Sequence, residues 1–145
     1  MARQEVSEMG EVRAKVKLTN SVDLGLVRRN LMRPHEVRTF EADALVDTGA
    51  LALFVPSFVA EQLGLARPMK QVAEYADGRR EEADVTEPVL VDIMGRRTNE
   101  EALVLGDEVI IGQTVLEKRD LQVDCRGQRL YPNPAHPDQP VLKVK

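Results

Sequence analysis

The sequence predicts a mainly β domain with two short helices and one projecting hairpin. Three observations lead there. From Val12 to Thr19, Val12, Ala14, Val16 and Leu18 alternate with Arg13, Lys15, Lys17 and Thr19, which is the period-two pattern of a half-buried strand. The later apolar runs are short, rich in valine and bounded by Gly, Asp or Pro, and such runs favour strands over long helices. An Asp77-Gly78 pair stands between two extended stretches, a hairpin signal because both residues of a tight two-residue turn take positive φ.

Each element follows in order. The first eight or so residues read as frayed. After the opening strand, residues 20–34 mix Val22, Leu24, Leu26 and Val27 with Asp23, Arg28 and Arg29, a loop with a short helical turn. Val37 to Ala42 resumes a strand that runs on to Asp47. Pro56 to Gly64 reads as one short helix, with Pro56 in the first turn and Gly64 as its stop. Gln71–Ala76 and Arg79–Val85 flank the hairpin turn, and so polar a hairpin projects from the body. Val89–Ile93 and Ala102–Leu105 are core strands, with Gly95 turning the chain between them. Thr114 and Glu117 form a capping-box signature for a second helix. Leu121, Val123 and Leu130 continue in strands, and 141–145 suits a last short strand. The divisions are a flexible N-terminus at 1–9, one domain over 10–131 and a Pro-rich tail over 132–145.

Composition limits the function. The 145 residues suit one domain, and 43% hydrophobic with 3% aromatic residues calls for an aliphatic core. A net charge of −4 argues against a nucleic-acid partner, which selects a basic excess. The pairs Arg28-Arg29, Arg79-Arg80 and Arg96-Arg97 read as solvated loops. One cysteine, Cys125, excludes an intrachain disulfide and a multi-cysteine zinc site, and its place at a strand end suggests packing. His35 and His136 lie far apart beside prolines, so neither a metal site nor a His-based triad is expected. No leader-like or membrane-length apolar stretch is visible, and the expected setting is cytoplasmic, without membrane contact or cofactor.

The chemistry-bearing segment is Asp47-Thr48-Gly49-Ala50. The apolar run Ala44-Leu45-Val46 leads into it, and Leu51-Ala52-Leu53-Phe54-Val55 follows. An acid ending a buried strand must sit where the fold opens or where another group satisfies it. One reading is a turn cap, with the carboxylate bonded to backbone N–H groups. A phosphate-handling turn is a poor fit, since the chain has no Gly-Lys-Ser/Thr run and no strand–helix rhythm. The second half repeats the pattern of strand, Gly and short helix in Ile110-Ile111-Gly112 and its following helix.

These pieces together resemble a retropepsin-like aspartic protease of clan AA. More narrowly, Ile111 to Glu117 and Asn133 to Pro137 are similar to runs in a small bacterial single-lobe family. The resemblance covers roughly residues 10 to 145 and implies a closed, acid-protease-like barrel lobe that works as a homodimer on a polypeptide substrate. It implies Asp47 as the catalytic acid, Thr48 as a brace across the dimer axis, and Gly49 as the residue that lets the backbone turn. Asp77 and Gly78 would form a flap tip, with Tyr75 or Ala76 lining the cleft and Ala50 beside the substrate. The flap lacks the run of glycines of viral enzymes.

Peptide hydrolysis without a metal or covalent nucleophile needs an activated water and a polarised carbonyl. Two carboxylates sharing one proton supply both, and their apparent pKa values split because like charges about 3 Å apart do not both ionise readily. The motif occurs once, so a two-fold axis must supply the second acid. A hydroxyl at position 50 would hydrogen-bond the ionised carboxylate and lower its pKa. Alanine cannot, so activity is expected to extend toward near-neutral pH. The competing reading is a dimeric, catalytically silent module that holds an extended peptide by strand addition.

Overall fold

The computed structural model describes residues 11–145. The expectation for residues 1–9 lies outside that range. Eleven strands and three α-helices make up the described chain. The strands are β1 (Val12–Asn20), β2 (Thr39–Val46), β3 (Leu53–Val55), β4 (Met69–Glu74), β5 (Arg80–Val85) and β6 (Val89–Ile93). They continue with β7 (Arg96–Glu100), β8 (Ala102–Val104), β9 (Ile110–Ile111), β10 (Leu121–Asp124) and β11 (Arg129–Pro132). The helices are α1 (Ser21–Arg28), α2 (Ser57–Gln62) and α3 (Gln113–Arg119). The mainly β expectation holds.

Nine strands form one sheet in the order β4-β5-β8-β3-β9-β2-β1-β6-β7, and β10 pairs with β11 separately. The long strand β1 is central to one half, pairing antiparallel with β2 on one side and β6 on the other. Its inward residues Val12, Val16 and Leu18 are almost fully buried and meet Val46, Val89, Val91, Ile93, Ile111, Val115 and Leu116 in an aliphatic core. A smaller cluster of Ala83, Val85 and Leu103, with Ala52, Phe54, Ala73 and Leu105 against it, fastens the base of the β4–β5 hairpin to β3.

Several local expectations are revised. The stretch 20–34 holds a full helix, α1. Asn20 caps it, accepting from the Asp23 N–H at 3.0 Å while its amide donates to the Leu63 carbonyl at 2.8 Å. The expected short helical turn is thus a helix of 8 residues. Pro56 is the residue before α2 instead of part of its first turn, but Gly64 stops α2 as expected. It takes φ +62, its N–H bonds the Glu61 carbonyl, and the Leu65 N–H bonds that of Ala60, the paired bonds of a Schellman ending.

The hairpin turn is not the two-residue turn expected of Asp77-Gly78. The Gly78 N–H bonds the Tyr75 carbonyl at 2.9 Å and the Tyr75 N–H bonds that of Arg79 at 2.8 Å. Ala76 and Asp77 are the turn's centre, and Gly78, at φ +88, forms the bulge. The tight turn with two positive φ values occurs instead at Met94 (+52) and Gly95 (+73), joining β6 to a strand, β7, that the sequence reading treated as loop.

Arg96 is therefore no solvated loop residue. Only 7% exposed, it donates to the carbonyls of Arg119 (2.8 Å), Asp120 (3.0 Å) and His136 (3.0 Å). Cys125 is exposed in the β10–β11 turn and plays no packing role. Residues 141–145 form no strand within the described chain, so their expected strand character is absent there.

Candidate active site

Asp47 follows the last residue of β2, where the strand leaves the sheet. The apolar sequence before it explains the position: Ala44 and Val46 are buried, and Asp47 itself is half-buried. The chain then turns sharply. The Ala50 N–H bonds the Asp47 carbonyl at 3.1 Å, and the Gly49 N–H donates to Asp47 Oδ1 at 2.9 Å. One carboxylate oxygen thus braces its own turn, as the turn-cap reading requires, while Oδ2 takes no hydrogen bond among the described residues. Thr48 and Gly49 are exposed, and Ala50 is half-buried.

The second glycine pattern comes to the same place. Strand β9 lies between β2 and β3, parallel to the first and antiparallel to the second. Leu45 is opposite Ile110, Val46 is opposite Ile111, and the Asp47 N–H bonds the Ile111 carbonyl at 3.0 Å. Gly112 follows against the loop after Asp47, so close that a side chain would collide with the backbone of Leu51 and Ala52.

Helix α3 then starts without a side-chain cap, and Thr114, the expected cap, lies inside it. Its leading N–H groups are met by the loop itself: Gln113 donates to the Ala50 carbonyl at 2.8 Å and Thr114 to that of Leu51 at 3.0 Å. Glu117 accepts from the Gln113 side chain at 3.2 Å instead of closing a capping box. The loop that carries Asp47 is therefore fixed by β9, by Gly112 and by α3. The sequence reading marked Gly112 but not Leu51 or Ala52, whose backbone serves here and leaves no side-chain signal.

The other expected residues lie at the hairpin tip. Tyr75, Ala76, Asp77 and Gly78 are all exposed. Their polar contacts stay within the hairpin. Asp77 accepts from the Arg79 backbone at 3.0 Å and from its guanidinium at 2.8 Å, and Tyr75 donates to Glu81 at 3.1 Å. The Arg79 guanidinium also lies 4.6 Å from the Tyr75 ring centre. The Arg79 bonds hold the Asp77 carboxyl below its ordinary pKa, and the Glu81 carboxylate raises the Tyr75 phenol. The single chain thus brings Asp47, Thr48, Gly49 and Ala50 together with Gly112, and leaves the tip residues tied to one another.

Two surface clefts, of about 540 and 320 Å³, lie on the outer face of β1, β2 and β6, and Asp47 lines neither. Among the described residues no group of three or more His, Cys, Asp or Glu side chains is placed to hold a metal ion. Nor is any helix there long and apolar enough to cross a membrane.

In class, then, this is a mainly β domain that presents one acid on a braced turn at a strand end. No protein-family model matches the chain, and no curated protein matches it in sequence. Among solved structures it is similar to the solution structure of simian foamy virus (mac) protease, at 14% sequence identity and a TM-score of 0.45, over 72% of this chain and 90% of that one.

Proposed function

We propose that the chain is an aspartic endopeptidase that acts as a homodimer, with one Asp47 from each copy flanking a water. The observation that carries this reading is Asp47 itself: a half-buried acid at the end of β2, on a turn fixed from three sides, with Oδ2 uncommitted. A purely structural turn needs neither the parallel β2–β9 pairing beneath it nor a glycine packed against its loop.

The chemistry follows from the pair. The ionised Asp47 takes a proton from the water as its oxygen attacks the peptide carbonyl carbon. The protonated Asp47 of the second copy donates to the carbonyl oxygen. The tetrahedral gem-diol then collapses: the nitrogen takes the proton that the first carboxylate had gained, the C–N bond breaks, and one hydroxyl returns its proton to the second carboxylate as the new carboxyl C=O forms, which restores the pair. A two-fold axis places the acids opposite each other without any second motif in the chain. Ala50 brings no hydroxyl to the ionised form.

One observation favours the catalytically silent alternative: the Gly49 N–H bond to Oδ1 is also what a turn-capping acid makes. The test separates the two. Purified protein is incubated with an unstructured polypeptide across roughly pH 4–8, a range starting at the ordinary carboxyl value. Asp47→Asn is expected to lower cleavage by at least about 100-fold, with the dimer retained in sedimentation. Full activity in that variant ends the proposal. Peptide binding without turnover in the unsubstituted chain replaces it with the silent module.

A further inference from the structure

The smaller of the two clefts, about 320 Å³, stands at the far end of β2 from Asp47. Its floor is the outer face of the sheet. There Lys17 and Thr19 of β1 lie between Thr39 of β2 and Leu90 and Asp92 of β6. Its wall is α1 and the segment after it, which contribute Leu24, Val27 and Val37. Ser21 bonds Asn99 of β7, and Asp23 holds Arg38 by backbone and guanidinium, so the wall is fixed without a ligand. Thr39 is roughly 25 Å from Asp47 at strand spacing.

Two features of the floor point to an occupant. The first is Thr19. Six polar or charged residues are buried among the described residues: Thr19, Asn20, Asp23, Thr86, Arg96 and Thr98. Five of them make side-chain hydrogen bonds. Thr19, only 7% exposed, makes none among the described residues, and it lines the cleft. A buried hydroxyl without a partner costs stability, and a ligand in the cleft supplies one.

The second is Lys17, which forms no ion pair or hydrogen bond among the described residues. Asp92, opposite it on β6, is taken by Arg97 at 3.3 Å. Glu41, opposite it on β2, lines the adjoining larger cleft and not this one. The cleft therefore holds two cations, Lys17 and Arg97, against one acid. Residues 21–38, which supply the wall, add Arg28, Arg29, Arg33 and Arg38 against Asp23 and Glu36, a local positive surplus on a chain of net charge −4.

We propose that this cleft binds a small monocarboxylate with a compact, branched apolar body. Its volume is at the small end of ligand sites. Leu24, Val27, Val37 and Leu90, all half-buried, take the apolar body. The carboxylate meets the Lys17 ammonium and accepts from the Thr19 hydroxyl, bonds strengthened by its charge. The surrounding arginines draw anions toward the opening. A free branched acid and the C-terminus of a peptide ending in leucine share this head and body. Nothing in the assignment depends on the role of Asp47.

The test uses the full chain and 4-methylpentanoate, followed by NMR titration. The amide signals of Thr19, Val27 and Leu90 are expected to shift, and those of Asp47 to Ala50 to stay. The uncharged 4-methylpentanamide should bind at least about tenfold more weakly, one charge-assisted bond's worth. The cationic 4-methylpentylamine should bind less well still. Lys17→Gln, at an exposed position, should abolish the preference for acid over amide. Thr19→Val keeps the shape and removes the hydroxyl. It should weaken binding of the acid while leaving the urea midpoint unchanged or higher, because no bond within the chain is lost.

Acetyl-glycyl-leucine run beside 4-methylpentanoate separates the two sources, and tighter binding of either supports the site. Equal affinity for acid, amide and amine overturns the proposal, as does absence of binding by both acids. A lowered urea midpoint in Thr19→Val also overturns it, since the hydroxyl would then have a partner within the chain.

Discussion

A Cβ atom on Gly112 would lie 2.3 Å from the Ala52 carbonyl oxygen and 2.6 Å from the Leu51 carbonyl carbon. Gly112 has an ordinary φ of −91, so the glycine is required by close approach and not by backbone strain. The obstacle is backbone, which cannot swing aside as a side chain does. Gly112→Ala is therefore expected to cost about 1–3 kcal/mol, the scale of overpacking, and to lower turnover by displacing the Asp47 loop. Urea unfolding and a cleavage assay check both. An alanine variant with unchanged stability would show that the loop is looser than this contact implies.

Ala50 governs a second expectation. Its backbone N–H closes the turn at 3.1 Å from the Asp47 carbonyl, and its methyl group brings no hydrogen bond to the carboxylate. Ala50→Ser supplies a donor that favours the ionised acid and lowers its pKa. The acid limb of the pH–rate profile should move down, and activity at neutral pH should fall. A profile of the unsubstituted protein confined below about pH 4, the ordinary carboxyl range, would contradict the role given to Ala50.

Asp23 sets an acid limit on stability. Only 1% exposed, it accepts from the Arg38 backbone at 3.0 Å and from the Arg38 guanidinium at 3.0 and 2.9 Å. The Arg38 bonds hold its carboxyl below the ordinary value despite the opposing effect of burial. A carboxyl depressed in the folded state contributes its full stability above the unfolded value of about 3.9 and loses it as pH falls through the folded value. Asp23→Asn should cost about 2 kcal/mol at neutral pH, the scale of hydrogen bonds to a charged group. The gap should narrow below about pH 4, where the unfolded chain takes up the proton first. Urea midpoints of both proteins across pH provide the check. A gap that stays constant into strong acid would refute the assignment.

Arg96 joins β7 to the end of α3 and to the tail through three carbonyls. Lysine keeps the charge but not the planar fork that spans them. Arg96→Lys should lose roughly 2 kcal/mol, the scale of unmade bonds to a charged group, and should expose the segment around His136 to protease. That segment is otherwise held by Asp120, which accepts from the Asn133 amide at 3.0 Å and the Val141 N–H at 3.1 Å and lies 2.6 Å from His136 Nδ1. Thermal unfolding and timed proteolysis report the two effects. Equal protection in the lysine variant would assign the hold on the tail to Asp120 alone.

Much of this was legible in the sequence because it is local. Alternation from Val12 to Thr19 is the inward and outward phase of β1, and the glycine at position 64 is the left-handed stop of α2. The acid at the end of an apolar run is the half-buried Asp47. What misled was local ambiguity. The mixed run from Val22 to Arg29 reads as a loop with a short helical turn, and Asn20, bonded to both Asp23 and Leu63, starts a full helix there. Asp77-Gly78 looked like the tight turn, yet the three-residue solution with its bulge was available to the same residues. Met94 at positive φ gave no signal at all.

By itself, the sequence determined the class of the fold and the position of its one candidate acid, because side-chain periodicity and turn chemistry act over a few residues. The tertiary structure alone decided that β9 comes between β2 and β3, that Gly112 packs on the loop after Asp47, and that Arg96 is buried among carbonyls. Those relations join residues distant along the chain. They are set by which backbone groups still lack partners once the local elements have formed, and no short stretch of sequence carries that information.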